Sequence, residues 1–148
     1  QSTVRIISGL YGLIKPLDLI QAYRLEMGTK LSFDINKNLY DYWREKITNQ
    51  LNSELSENEP ILNLASNEYF KAVDSKVLNS DIYSANFKQL KDGKYKTIAI
   101  FSKKARGLMT RYIIENNITE INSLKSFNYD GYVYHENLSS KKEFIFSR

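Results

Sequence analysis

The sequence predicts a mixed α/β fold, a central sheet flanked by helices, and three observations carry that prediction. Ile61 to Ala65 is a largely apolar run followed by Ser66 and a short helical segment, Asn67 to Val73, the order strand, cap, helix. Asp92-Gly93 stands between the strand-like runs Ile82 to Leu90 and Tyr95 to Phe101, a strong short-range hairpin signal. Leu39, Trp43, Ile47, Leu51 and Leu55 recur every four residues, the spacing of one buried helix face.

A chain of 148 residues has room for one domain, residues 1–148, with a substantial core. With no cysteine, disulfides, thiolate metal sites and cysteine nucleophiles are excluded. A single histidine, His135, excludes a His-rich zinc constellation, so neither a metal nor a cofactor is expected. No apolar run reaches the ~20 residues that span a bilayer, and no signal-peptide pattern opens the sequence. The expected location is cytoplasmic, without membrane contact. The net charge of +4 conceals an asymmetry: residues 86–116 hold eight cations against two anions, +6, leaving −2 for the rest. Such concentration points to a polyanionic partner.

In chain order, Val4 to Ile7 is a short buried strand with nothing before it, which predicts a truncated part of a larger single domain. An open sheet edge or apolar face, available for self-association, follows from that expectation. Ser8, Gly9, Leu10, Tyr11 and Gly12 form a tight loop after the strand. A glycine-rich turn there can present amides to a phosphate, although the spacing is that of no P-loop or dinucleotide fingerprint, and a plain turn is the simpler reading. Tyr23 to Gly28 alternates as a strand does, placing Arg24 and Glu26 on one face as a structural ion pair in preference to a catalytic dyad. Asn38 caps the helix from Leu39 to about Leu55, with Asp41 in its first turn. Ser66, Asn67 and Glu68 sit at the carboxyl edge of the next strand, where α/β sites collect. Strands at Val4 to Ile7, Ile61 to Ala65 and Tyr95 to Phe101 are expected to be central and buried. A short helix from about Thr119 to Ser126, a turn at Phe127 to Gly131, and a hairpin of Tyr132 to Glu136 with Glu143 to Phe146 complete the chain. His135 in that hairpin is expected to be structural.

The chemically suggestive stretch is FSKKARGLMTRYIIEN, Phe101 to Asn116. Ser102 is placed as N-cap, and Ala105, Leu108, Met109, Tyr112 and Ile113 form the buried face. Lys103, Lys104, Arg106, Gly107 and Arg111 share the opposite side. Cations in a first turn oppose the helix macrodipole, each by roughly 0.3–1 kcal/mol, and an anion bound at the helix start removes the conflict. A solvated charged face is the simpler alternative. The hairpin cations Lys88, Lys91, Lys94 and Lys96 are expected to extend the positive surface.

Four stretches, SGLYGLIKPLDLIQAYRLEMG (Ser8 to Gly28), NLASNEYFKAV (Asn63 to Val73), FSKKARGLMTRYIIEN and FNYDGYVY (Phe127 to Tyr134), together resemble the carboxy-terminal part of the bacterial YaaA family of peroxide stress proteins. The resemblance runs in order through essentially the whole chain. It implies a cytosolic protein that protects cells during peroxide stress by limiting free intracellular iron and binds double-stranded DNA through a positively charged cleft. It also implies an additional amino-terminal portion, carrying a Ser-Pro-Ala-Lys motif and a helix-hairpin-helix element. On this reading Lys103, Lys104, Arg106 and Arg111 contact phosphates, with Lys88, Lys94 and Lys96 around them and Gly107 allowing close approach. The rival expectation is an enzyme acting on a nucleotide or damaged base. Its pocket would gather Ser8, Gly9, Tyr11, Gly12, Arg24, Glu26, Ser66, Asn67 and Glu68, with Asp130 as a further carboxylate. No nucleophile–base pair marks such a site, and no catalytic residue is assigned.

Overall fold

The periodicities of the sequence resolve into seven strands and three α-helices in the computed structural model, which describes residues 1–148. In chain order these are β1 (Ile6–Ser8), β2 (Gly12–Ile14), α1 (Leu39–Glu54), β3 (Ile61–Asn63), α2 (Asn67–Phe70), β4 (Ile82–Lys91), β5 (Lys94–Lys96), α3 (Ala99–Glu115), β6 (Val133–Tyr134) and β7 (Glu143–Ser147). The fold is α/β, with a mixed sheet and flanking helices. The chain divides into two compact units, one of Gln1–Glu59 and Ala65–Ser80, the other of Pro60–Leu64 and Asp81–Arg148.

In the first unit Asn38 starts α1 as expected: its side-chain oxygen accepts from the Asp41 amide at 3.0 Å. Ile47 and Thr48 are buried, and the Thr48 hydroxyl accepts from the Asp74 amide at 2.9 Å, tying α1 to the end of the α2 region. β1 and β2 form a two-stranded antiparallel hairpin in which Ile6 is exposed, so the amino-terminal strand is neither central nor buried. It has one partner, and that partner is its own hairpin mate. Residues 23–26 form no strand either. Of the face expected to turn inward only Met27 is fully buried; Leu25 is half-buried and Tyr23 exposed, as are Arg24 and Glu26. The stretch pairs with no strand: its backbone instead packs on Gly9, where an added Cβ would lie 2.4 Å from the Leu25 carbonyl oxygen. Alternating residue types suggest an extended chain, but a sheet also requires a neighbour. Arg24 and Glu26 form no ion pair with each other.

In the second unit the strand order is β3-β4-β7-β6, with β5 pairing with β4. β3 and β7 run parallel to β4, and β6 runs antiparallel to β7. β3 is therefore an edge strand, half-buried, contrary to the central position expected for Ile61 to Ala65. Its neighbour in the sheet is β4, and β7, which follows it by about eighty residues, takes the inner position. Asp92 and Gly93 take the positive φ angles of a two-residue hairpin turn, 53° and 69°, and connect β4 to β5 as predicted. β5 stops at Lys96 and is exposed. Beyond it no strand is available for pairing, so Ala99 to Phe101 enter α3 instead of extending a buried strand. One face of the sheet, through Ala85, Phe87, Phe144 and Phe146, packs on Ala105, Met109 and Tyr112 of α3 and on Leu124, Phe127 and Tyr132. Residues Ile121–Ser126 form the predicted short helix as a 3-10 turn, and the closing hairpin forms as β6 and β7.

Candidate functional site

α3 positions the predicted phosphate contacts, but it begins a turn earlier than the cap assignment placed it. Ile98 is the N-cap, and Ser102 lies inside the helix, buried, with its amide donating to the Ile98 carbonyl at 2.9 Å. Lys103, Lys104 and Arg106 therefore occupy the second turn, beyond the first turn where the dipole acts most strongly. The dipole conflict inferred from sequence is largely relieved by this shift. What remains is a basic surface. Lys103, Lys104, Gly107 and Arg111 are exposed, and space around Gly107 is open: a Cβ added there would have no atom within 4 Å beyond its own helix backbone and chain neighbours.

Two of the cations are held by carboxylates. Lys104 Nζ lies 3.1 Å from Asp130, and Arg111 Nε donates to Glu115 at 2.8 Å. Glu115 also accepts from the Tyr129 hydroxyl at 3.0 Å. Arg111, then Tyr129, holds the Glu115 carboxyl below its usual range. Arg106 reaches back to the Ser102 hydroxyl at 3.4 Å, and burial lowers its guanidinium from the usual value without removing its charge. Lys104, Leu108, Arg111, Glu115, Tyr129 and Asp130 line an open groove of about 410 Å³ along the helix.

Asp130 joins α3 to the end of β7. It has a φ of 56°, and its carboxylate lies 2.5 Å from Arg148 as well as near Lys104. The Lys104 hydrogen bond, then the Arg148 charge, holds its carboxyl below the usual range. Arg148 also donates to Gln89 at 3.0 Å and lies over the rings of Phe101 and Tyr132, 5.1 and 5.0 Å from their centroids. Sequence reasoning gave Arg148 no role, yet it continues the Phe144, Phe146 alternation onto the α3 side of the sheet.

Strand register sorts the hairpin cations. Phe87 and Gln89 point to the α3 side, Gln89 donating to the Tyr132 hydroxyl at 2.6 Å. Lys91 follows that alternation, and its pairing with Lys94, and of Gln89 with Lys96, places Lys94 and Lys96 on the same side. Lys88 falls on the reverse face with Leu90 and its cross-strand partner Tyr95. His135 lies there too, its ring 5.3 Å from Tyr95 and its Nε2 2.7 Å from the Ser147 hydroxyl, a structural arrangement.

The other predicted group lies within the first unit. The Ser8 hydroxyl accepts from the Leu10 and Tyr11 amides, at 3.2 and 2.9 Å, and lies 2.5 Å from the Tyr23 hydroxyl. These loop amides are thus satisfied by Ser8 itself. Tyr11 accepts from the Gln21 amide at 3.0 Å, and Trp43 donates to the Gly9 carbonyl at 2.9 Å. Gly12, at φ 72°, has the Trp43 ring where a side chain would go. Ser66 begins α2 without a side-chain cap bond; Asn67 is exposed; Glu68 accepts from the Gly28 amide at 2.8 Å. Ser8, Gly9 and Glu68 are linked through residues 23–28, whereas Arg24 and Glu26 point outward as exposed side chains. No carboxylate or imidazole contacts the Ser8–Tyr23 hydroxyl pair. No group of three or more His, Asp or Glu side chains is arranged to hold a metal ion, and no helix is long and apolar enough to cross a membrane.

Comparison with known proteins places the chain in a family. The family described as "Peroxide stress protein YaaA" matches residues 1–138. A UPF0246 protein of Flavobacterium psychrophilum is 55% identical over 148 residues, all of this chain and 59% of its own length. Those of Flavobacterium johnsoniae and Saccharophagus degradans are 54% and 53% identical, again over all of this chain and 59% of theirs. The chain thus spans about three-fifths of the length of these relatives. It belongs to the YaaA family of peroxide stress proteins.

Proposed function

We propose that this chain acts in the peroxide stress response, binding double-stranded DNA through the basic surface of its second unit and helping to limit free intracellular iron. The observation that carries the reading is the gathering of cations from two elements on one side of the sheet. Lys91, Lys94 and Lys96 come from the hairpin, and Lys103, Lys104, Arg106 and Arg111 from α3. Phosphates supply the complementary charge, and contacts of this kind fix position without reading sequence. The ion pairs of Lys104 with Asp130 and of Arg111 with Glu115 are exposed, so a phosphate oxygen can share or replace the carboxylate at small cost. Gly107 leaves the helix surface bare between these cations.

Anisotropy titration of a labelled duplex, compared with a second duplex of scrambled sequence, tests the reading. Similar affinities that fall steeply with salt are expected. Binding that is insensitive to salt, or turnover of the nucleic acid, contradicts simple phosphate binding and favours an enzyme. Chelatable iron, read by electron paramagnetic resonance in peroxide-treated cells, tests the second half. Expression of the parent should lower it, and expression of a variant stripped of the α3 cations should not.

Self-association belongs to the same reading. Leu19 is fully exposed and Ile35 97% exposed in the first unit, apolar surface that a second copy of the chain can cover. Sedimentation velocity across a concentration series should show a rising mean mass; a constant monomer mass removes this part.

A further inference from the structure

We infer that the β4–β5 hairpin is a DNA-bending arm, with Lys91, Lys94 and Lys96 tracking phosphates and Leu90 with Tyr95 forming an apolar wedge against the groove; the inference rests on the DNA-binding reading above. β7 pairs with β4 as far as Lys88, and the Leu90 amide still donates to the Arg148 carbonyl at 2.9 Å, so beyond Leu90 the hairpin is held by β5 alone. Lys91, the Asp92–Gly93 turn and Lys94 project past that bond as a narrow tip, and Leu90 with Tyr95 stands at its base, where the rim of a groove about 7.5 Å deep would meet it. The tip is slim: nothing lies within 4 Å of a side chain placed on Gly93, and the Asp92 carboxylate is paired with Lys96 at 3.5 Å.

The ribbon has two unlike faces. Its lysine face lies on the same side of the sheet as α3, so one polyanion can meet both elements. Its reverse carries Leu90 and Tyr95 as direct cross-strand partners, 56% and 39% exposed. An exposed leucine–tyrosine pair on a strand this rich in lysine gains nothing from water. Against a groove wall it meets sugar and base edges, and apolar side chains pressed between base steps unstack and kink a duplex. Charge complementarity selects the nucleic acid as occupant, and the apolar pair specifies how it is deformed.

Three readouts test the arm with the whole chain. A duplex carrying a dye at each end should show raised energy transfer when the parent binds. In the Leu90→Ala/Tyr95→Ala variant the transfer should return to that of free DNA, while the salt slope of binding stays as in the parent. Replacing Lys91, Lys94 and Lys96 by Gln should instead reduce that slope by about 2–3 units, and Lys88→Gln should leave it unchanged. If the double variant loses its fold by circular dichroism, the unaltered protein still decides: a 2-aminopurine in the duplex should brighten on binding as its step unstacks. Binding without bending or brightening, bending retained in a folded double variant, or an effect of Lys88 equal to that of its neighbours each overturns the arm while leaving DNA binding in place. Absence of any duplex binding at low salt removes both.

Discussion

At the scale of single residues, Gly107 separates a merely solvated helix face from one that a ligand approaches. Open space surrounds it, so Gly107→Ala should stabilise the protein by about 0.4–1 kcal/mol through the unfolded state. Affinity for duplex DNA should nevertheless fall, because the methyl group stands where phosphate must approach; paired thermal melts and titrations check both halves. Gly12 behaves oppositely. Its positive φ and the Trp43 ring at 2.5 Å leave no room, and Gly12→Ala should destabilise by more than about 1 kcal/mol, read as a lowered urea midpoint. Asp130 adds a pH dependence. Its folded value is depressed below the usual ~3.9, so its contribution is complete above that value and is lost as pH falls through the lower folded value. Asp130→Asn should be less stable near neutrality and show a shallower decline below about pH 4 in urea midpoints taken across the acid range.

At the scale of elements, β7 is the strand that binds the second unit together. It lies between β4 and β6, and Phe144 and Phe146 insert into the aromatic core under α3. Phe146 is fully buried and stacks against Phe87, 5.5 Å between centroids. Phe146→Ala should cost about 3–5 kcal/mol, measured by denaturant unfolding, because the surrounding rings cannot close the cavity. Elements with a local signal were legible in the sequence: the Asn38 cap, the four-residue stripe of α1, and the Asp92-Gly93 turn each depend on a few adjacent residues. Elements that depend on a distant neighbour were not. Residues 23–27 alternate in sequence like a strand, yet only Met27 is fully buried and no strand lies beside them. Ile61–Asn63 read as a central strand and form an edge, since sheet order is set by β7, about eighty residues later. The start of α3 was displaced because Ser102 is a good cap by type, while Ile98 to Phe101 carry no polar signal of a helix beginning.

At the scale of the whole molecule, charge is the property that sequence conveys best and that structure refines. The +6 of residues 86–116 was visible at once, but only strand register shows that Lys88 faces away from its fellow cations. The carboxylate that restrains Lys104 comes from the Asp130 turn, which no local motif connects to it, whereas Glu115 stands four residues after Arg111 on the same helix. Family membership over residues 1–138 places the chain among the peroxide stress proteins, and it spans about three-fifths of the length of the relatives it matches. The central claim is that α3 provides phosphate contacts, and the salt dependence of duplex binding tests it most directly. Replacing Lys103, Lys104, Arg106 and Arg111 together by Gln, with the fold verified by circular dichroism, should flatten the slope of log affinity against log salt by about 3–4 units. A slope identical to that of the parent contradicts the account and removes this helix from the site.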